Sequence, residues 1–108
     1  MTRDEAKQTA ETILRQMGGR QLVAMTGARN LSFDYDGSLS FRFPGHGTGP
    51  NYCKITLNGL DLYDMTFARI RGGHVKDVDQ HGGLYFDQIR GVFERVTGLR
   101  TSLTAVYA

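Results

Sequence analysis

Near the start of the chain, apolar side chains recur every three or four residues: Ala6, Ala10, Ile13, Leu14 and Met17. That spacing places them on one face of a helix. Thr2 and Glu5 have the Thr-x-x-Glu pattern in which side chain and backbone satisfy each other at a helix start, and Asp4 with Glu5 suits the positive end of the helix dipole. Glu11 and Arg15 are spaced to pair on the wet side, and Gly18-Gly19 predicts the helix end. After Arg20 the period falls to two. "QLVAMT" at 21–26, with Leu22, Val23 and Met25, reads as a strand ended by Gly27. Leu31, Phe33 and Tyr35 then alternate with Ser32 and Asp34, and Leu39, Phe41 and Phe43 alternate with Ser40 and Arg42. Cys53, Ile55 and Leu57 follow against Tyr52, Lys54, Thr56 and Asn58. Tyr63, Met65 and Phe67 do so against Leu62, Asp64, Thr66 and Ala68. "HVKDVD" at 74–79 predicts a shorter strand. Beyond Gly82-Gly83 the period lengthens again, and Tyr85, Phe86, Ile89, Val92, Phe93 and Val96 define a second helix. Arg90 and Glu94 are spaced to pair on its exposed side, and Gly98 marks its end.

The connections decide the topology. Asp36-Gly37 and Asn58-Gly59 are strong hairpin signals, and parallel strands would need long crossovers that the spacing does not provide. The expected fold class is therefore α+β, an antiparallel meander of five or six strands with an N-terminal and a C-terminal helix packed on one face. The other face would stay wet, as the clean alternation implies. A length of 108 residues suits one domain over 1–108, with 100–108 as a tail free to fray.

Composition narrows the function classes. With 40% hydrophobic and 22% charged residues the chain is globular. A net charge of +2, from 13 basic and 11 acidic residues, is too even to signal a nucleic-acid binder by itself. Cys53 is the only cysteine, which excludes an internal disulfide and a multi-cysteine zinc site and suits a reducing compartment. The polar N-terminus lacks the apolar core of a leader, and no apolar run reaches membrane-spanning length. The expected location is the cytoplasm, without membrane contact.

The stretch "FPGHGTGPNYCKITLN" at 43–58 looks most like a ligand-binding segment. A phosphate loop would need a Gly-Lys-Ser/Thr end running into a helix, whereas Gly45, Gly47 and Gly49 precede Pro50 and a strand. A hairpin connection with strain-relieving glycines accounts for it; the other reading is a loop that orders on a partner through His46 and Thr48. "HVKDVDQH" gathers His74, Asp77, Asp79 and His81. In an extended strand Asp77, Asp79 and His81 share a side and His74 does not, so no metal site is expected there, but a charged edge strand. Cys53 lies on an inward position, where a thiol behaves as a small hydrophobe. The remaining candidate is the wet sheet face. Arg42, Tyr52, Lys54 and Thr56, joined by Thr66, should project from it, a combination that stacks on bases and neutralises phosphate and also recurs at protein interfaces. Asp64 on that side weakens the nucleic-acid reading. Arg69 and Arg71 have the opposite parity and would join only through a bulge or at the sheet's end. A plain solvated surface is the bland alternative.

"MTGARNLSF", "LSFRFPG", "NYCKITLNGLDLYDMTFARIRG" and "TGLRTSL" together resemble a family of small proteins of phages and other bacterial mobile elements, over roughly Met17 to Leu103. The resemblance implies an accessory role in phage biology: countering a host defence, or assisting replication or gene control. It carries no catalytic residue and no cofactor. The expectation is a non-catalytic binding protein that occupies a host protein or nucleoprotein complex, such as a CRISPR effector. The alternative is a nucleic-acid binder using the exposed sheet face through Arg42, His46, Tyr52, Lys54 and Thr56. Either would act as a monomer or as a homodimer joined at a sheet edge.

Overall fold

The computed structural model describes residues 1–102. Helix α1, Arg3–Gln16, starts as its sequence dictates. The Thr2 hydroxyl accepts from the Glu5 N–H at 3.2 Å, and the Glu5 carboxylate accepts from the Thr2 N–H at 3.2 Å. Ala6, Ala10 and Ile13 form its buried face, and Met17 caps it. The Arg15 guanidinium donates to the Thr12 hydroxyl.

The segment expected as a first strand is instead helix α2, Arg20–Thr26. Leu22 and Thr26, four residues apart, are buried, while Val23 and Ala24 between them are exposed. That is helical and not alternating periodicity. The Thr26 hydroxyl accepts from the Ala28 N–H, and Gly27 closes the helix at φ 72°. Gly18-Gly19 is thus a joint between two helices. A Cβ at Gly18 would lie 3.0 Å from the Thr101 carbonyl oxygen, and its φ of +117° disfavours any side chain.

Five strands follow, β1 Arg29–Asp34, β2 Ser38–Arg42, β3 Tyr52–Leu57, β4 Tyr63–Arg71 and β5 His74–Leu84, paired antiparallel in chain order. The registers Phe33–Leu39–Ile55–Met65 and Phe41–Cys53–Phe67 set the alternating apolar positions on one face. Strand β5, expected to be short, is the longest at 11 residues. The Asp64 carboxylate holds its far end by accepting from the Gly83 N–H at 3.0 Å. The ladder slips between Phe67 and Ala68, whose partners are Asp79 and Asp77, so Val78 is the extra residue of a bulge.

Helix α3 is Ile89–Thr97. Tyr85 and Phe86, expected on its apolar face, precede it and are exposed, because the turn from Tyr85 to Gln88 reverses the chain before the helix begins. Ile89, Val92 and Phe93 are its buried face, and all three helices pack on the same side of the sheet, giving an α+β domain of two layers. Phe93 is fully buried, with ring centroids 5.7 Å from Phe41, 5.2 Å from Phe43 and 6.2 Å from Phe67.

Arg90 and Glu94 converge on Thr101. The Arg90 Nε donates to the Thr101 hydroxyl, which donates to the Glu94 carboxylate, as does the Thr101 N–H at 2.8 Å. Beyond α3, Gly98 and Arg100 are exposed, but Thr101 and Ser102 are buried and tie the end of the described chain to the fold. The remainder of the expected tail, 103–108, lies outside the described residues.

Replacing Phe93 by Ala removes the ring shared by three phenylalanines. It is expected to cost about 3–5 kcal/mol in urea unfolding. Thr101→Val, which strands the Arg90 donor, is expected to cost about 1–3 kcal/mol in the same measurement.

Candidate functional site

The register decides which polar side chains meet on the uncovered face. Arg42 stands opposite Tyr52, Lys54 lies between Ser40 and Thr66, and Thr56 stands opposite Asp64. These residues share the face expected of them and are half-buried, Ser40 more deeply. They do not form one basic surface. The Lys54 Nζ lies 3.0 Å from Asp36 Oδ2 and 3.5 Å from Asp34 Oδ2, so its charge is already matched. Asp36 raises the affinity of the Lys54 ammonium for its proton. The Asp36 carboxyl sits below its usual range, first through the Ser38 hydroxyl, which donates to it at 2.6 Å, and then through Lys54. Lys54 and Thr56 therefore belong to an acidic neighbourhood, and Arg42 with Tyr52 points toward the other end of the strands.

That other end collects cations. Arg29 lies directly across β1–β2 from Arg42, Arg69 across β4–β5 from Lys76, and Arg71 across from His74. Arg69 and Arg71 have the parity opposite to Arg42, as their spacing requires, and lie at the same end of the sheet on its other face. Among the described residues none of Arg29, Arg42, Arg69, Arg71 and Lys76 is ion-paired with a carboxylate. The Arg42 Nε is buried with no acceptor among those residues. Like charges directly opposite across a ladder cost stability, and a buried donor without a partner costs more.

The glycine loop closes over this end. The Asn51 side chain donates to the Ile70 carbonyl and accepts from the Ile70 N–H, both at 2.8 Å, tying the loop's exit to β4. The Arg69 guanidinium donates to the Gly49 carbonyl at 3.0 Å. Thr48, Arg69, Lys76, Asp77 and Val78 line an open cleft of about 450 Å³. His46 is exposed at the loop's tip, apart from Arg42 and Tyr52, and its carbonyl accepts from the Gly49 N–H. Asp77 is the one carboxylate lining the cleft.

The bulge at Val78 separates the histidine-aspartate segment. Asp77 falls opposite Ala68 on the open face, whereas Asp79 and His81 fall opposite Phe67 and Met65 on the helix side. His81 Nε2 lies 2.9 Å from Asp79 Oδ2, and this contact holds the Asp79 carboxyl below its usual range. Among the described residues no group of three or more histidine, cysteine or carboxylate side chains is placed to hold a metal. Cys53 is fully buried, and burial pushes its thiol upward, away from a reactive thiolate. No helix of the described residues is long and apolar enough to cross a membrane.

Comparison with protein-family models, curated proteins and solved structures returns no match, so the site is read from its own geometry. Arg29 and Lys76 were not among the residues singled out by alternation, and Arg69 and Arg71 were expected to join only through a bulge or at the sheet's end, because alternation reports the face of a sheet and not its ends. The available signal was their position beside the glycine-rich connections.

The Asp36–Lys54 pair gives a pH test. A carboxyl held low stabilises the fold in full above the usual carboxylate range, about pH 4, and loses that contribution as pH falls through its folded value. A lysine held high contributes in full below its usual range and loses it as pH rises. Because the pair is partly open to solvent, Asp36→Asn is expected to cost under about 1 kcal/mol at pH 7. The gap from the parent should close in urea unfolding below about pH 4.

Proposed function

We propose that this is a non-catalytic binding protein of a phage or other mobile element, acting in the host cytoplasm, whose cationic sheet end grips the phosphate backbone of a nucleic acid. The observation that carries the reading is the set of cations placed directly opposite one another, Arg29 with Arg42 and Arg69 with Lys76, without carboxylate partners among the described residues. A pairing that costs the free protein becomes favourable when an anion lies between its members. Local rules are typically broken where a protein binds. Arg42 on β2 and Lys76 on β5 are three strand spacings apart, roughly 14 Å, enough to follow several phosphates. Tyr52 beside Arg42 offers a half-exposed ring on which a base can stack. The resemblance to phage and mobile-element proteins supports the setting, and replication or gene control would be the task.

A second reading is favoured by a different observation. Tyr35, Tyr85 and Phe86 are well exposed, and aromatic side chains of that kind anchor protein interfaces. On this reading the protein inhibits a host defence by occupying a nucleoprotein complex such as a CRISPR effector. The cationic end would meet its nucleic acid or the protein surface that holds it.

Binding to single-stranded DNA or heparin is expected at low salt, weakening steeply as salt rises. Replacing Arg71 and Lys76 by Gln should lower affinity for all sequences and flatten the salt slope by about two. The same change should leave stability unchanged or raise it by about 0.2–1 kcal/mol, since it relieves opposed charges. Lys54→Gln should leave binding nearly unaltered, because Lys54 is already paired. Absence of retention at low salt sinks the nucleic-acid reading. A host protein captured equally by the parent and by the Arg71/Lys76 variant would favour the second.

A further inference from the structure

The end of the sheet remote from the arginines is unusual in a different way. It is formed by the β1–β2 turn, the β3–β4 turn and the exit from β5. Helix α1 starts there too, since the Met1 side chain lies against Gly37. Among the described residues, five of the nine large apolar side chains left exposed belong to it: Met1, Tyr35, Leu60, Tyr85 and Phe86, with Leu60 80% exposed. Tyr63 pairs with Leu84, so the two residues after β5 emerge beside the β3–β4 turn that carries Leu60. Exposed Asp61 and Asp87 sit among these side chains. Apolar surface gathered in one place and rimmed by charge marks a docking surface.

We infer that this surface docks on the arginine end of a second copy of the same chain, so that copies associate head to tail. Charge complementarity names the occupant. One end displays aromatic rings and carboxylates, and the opposite end displays Arg29, Arg42, Arg69, Arg71 and Lys76 without carboxylate partners among the described residues. Guanidinium groups stack on aromatic faces and pair with carboxylates, and the chain carries both halves of that contact. A two-fold contact through the arginine end would set arginines against arginines, whereas a head-to-tail contact sets them against the carboxylates and rings of the other end. The interface is therefore heterologous, and it grows into a ring or an open chain of copies. Antiparallel self-pairing of the free β5 edge about its middle is disfavoured. A two-fold axis at Asp77 or at Lys76 sets that residue against its own copy, and one at Val78 sets Asp77 against Asp79.

The inference uses the same arginine end as the nucleic-acid reading, so a second copy and a nucleic acid would compete for it, and its test contains no nucleic acid so that the two can fail separately. Sedimentation of the full chain at low salt should show a weight-average mass that rises with concentration past two chains. The assembly should dissolve in 1 M salt, where screening acts within about 3 Å. Two variants separate the ends: Leu60→Ser with Phe86→Ser, and Arg69→Glu with Arg71→Glu. Each alone should remain a single chain, while an equimolar mixture should form a one-to-one dimer and stop, since only one intact contact remains. A parent protein that stays monomeric at low salt, growth that stops at two chains, or a mixture that fails to pair would each overturn it. The parent's salt and concentration dependence decides the matter even if one variant folds poorly.

Discussion

Phe93 is where the two layers of this protein become one. Its ring sits among Phe41, Phe43 and Phe67, which come from the ends of β2 and from β4. A helix carried by a single aromatic anchor onto three others commits the sheet to one covered face. Everything else about the surface follows from that commitment. The uncovered face must be polar, because no further element exists in the described chain to bury it. On it Ser32 and Ser40 share a hydrogen bond, Ser38 donates to Asp36, and Lys54 pairs with Asp34 and Asp36. The middle of that face, where Lys54 is already paired, is a poor place for a ligand, and its unpaired Arg42 lies at the strand end. What binding capacity the fold retains is displaced to its ends.

The parts of this arrangement that were legible in the sequence are those fixed by side-chain alternation and by turn chemistry. Phe33, Leu39, Phe41, Cys53, Ile55, Met65 and Phe67 alternate because one side of each strand is buried, and the structure keeps every one of them on that side. Thr2 and Glu5 likewise declared α1. Helix α2 was not legible. Over seven residues only Leu22 and Thr26 are buried, and two buried positions cannot separate a period of 3.6 from a period of 2. Its seven residues are too short a run to reveal either. The length of β5 was hidden for a different reason. Gly82-Gly83 reads as a stop, and what carries the strand through it is Asp64, a residue 19 positions away in sequence. Tertiary contact overrode the local signal.

The candidate site failed to show itself for the same reason in mirror image. Lys54 stands out in sequence as a cation on an exposed face, yet its value as a ligand contact is removed by Asp34 and Asp36 from the neighbouring hairpin. Arg69 and Arg71 looked misplaced, on the wrong parity for the face. Parity loses its meaning where strands end, because a long side chain at a terminus reaches past the edge of either face. Arg29, Arg42, Arg69 and Arg71 are ordinary arginines one by one and become a site only through the register that aligns them.

The polarity of the molecule is a consequence of the meander itself. In an antiparallel sheet paired in chain order, alternate connections fall at the same end. Here the first and third connections carry Asp36-Gly37 and Asn58-Gly59 with Asp61, and the second and fourth, the glycine loop and the two-residue Gly72-Gly73 turn, are bordered by Arg42, Arg69 and Arg71. Carboxylates are favoured in the tight turns because short acidic side chains bond the local backbone. Arginines border the glycine-rich connections instead, and Arg69 donates to the Gly49 carbonyl there. In the first turn Asp36 accepts from the Ser38 hydroxyl, in the third Asn58 accepts from the Leu60 and Leu62 N–H groups, and at the other end Arg69 stands opposite Lys76. Turn chemistry thus sorts negative charge to one end, and the chain's near-even balance leaves positive charge to the other. A fold of this kind acquires a cationic end and an acidic, aromatic end without any motif that announces either one.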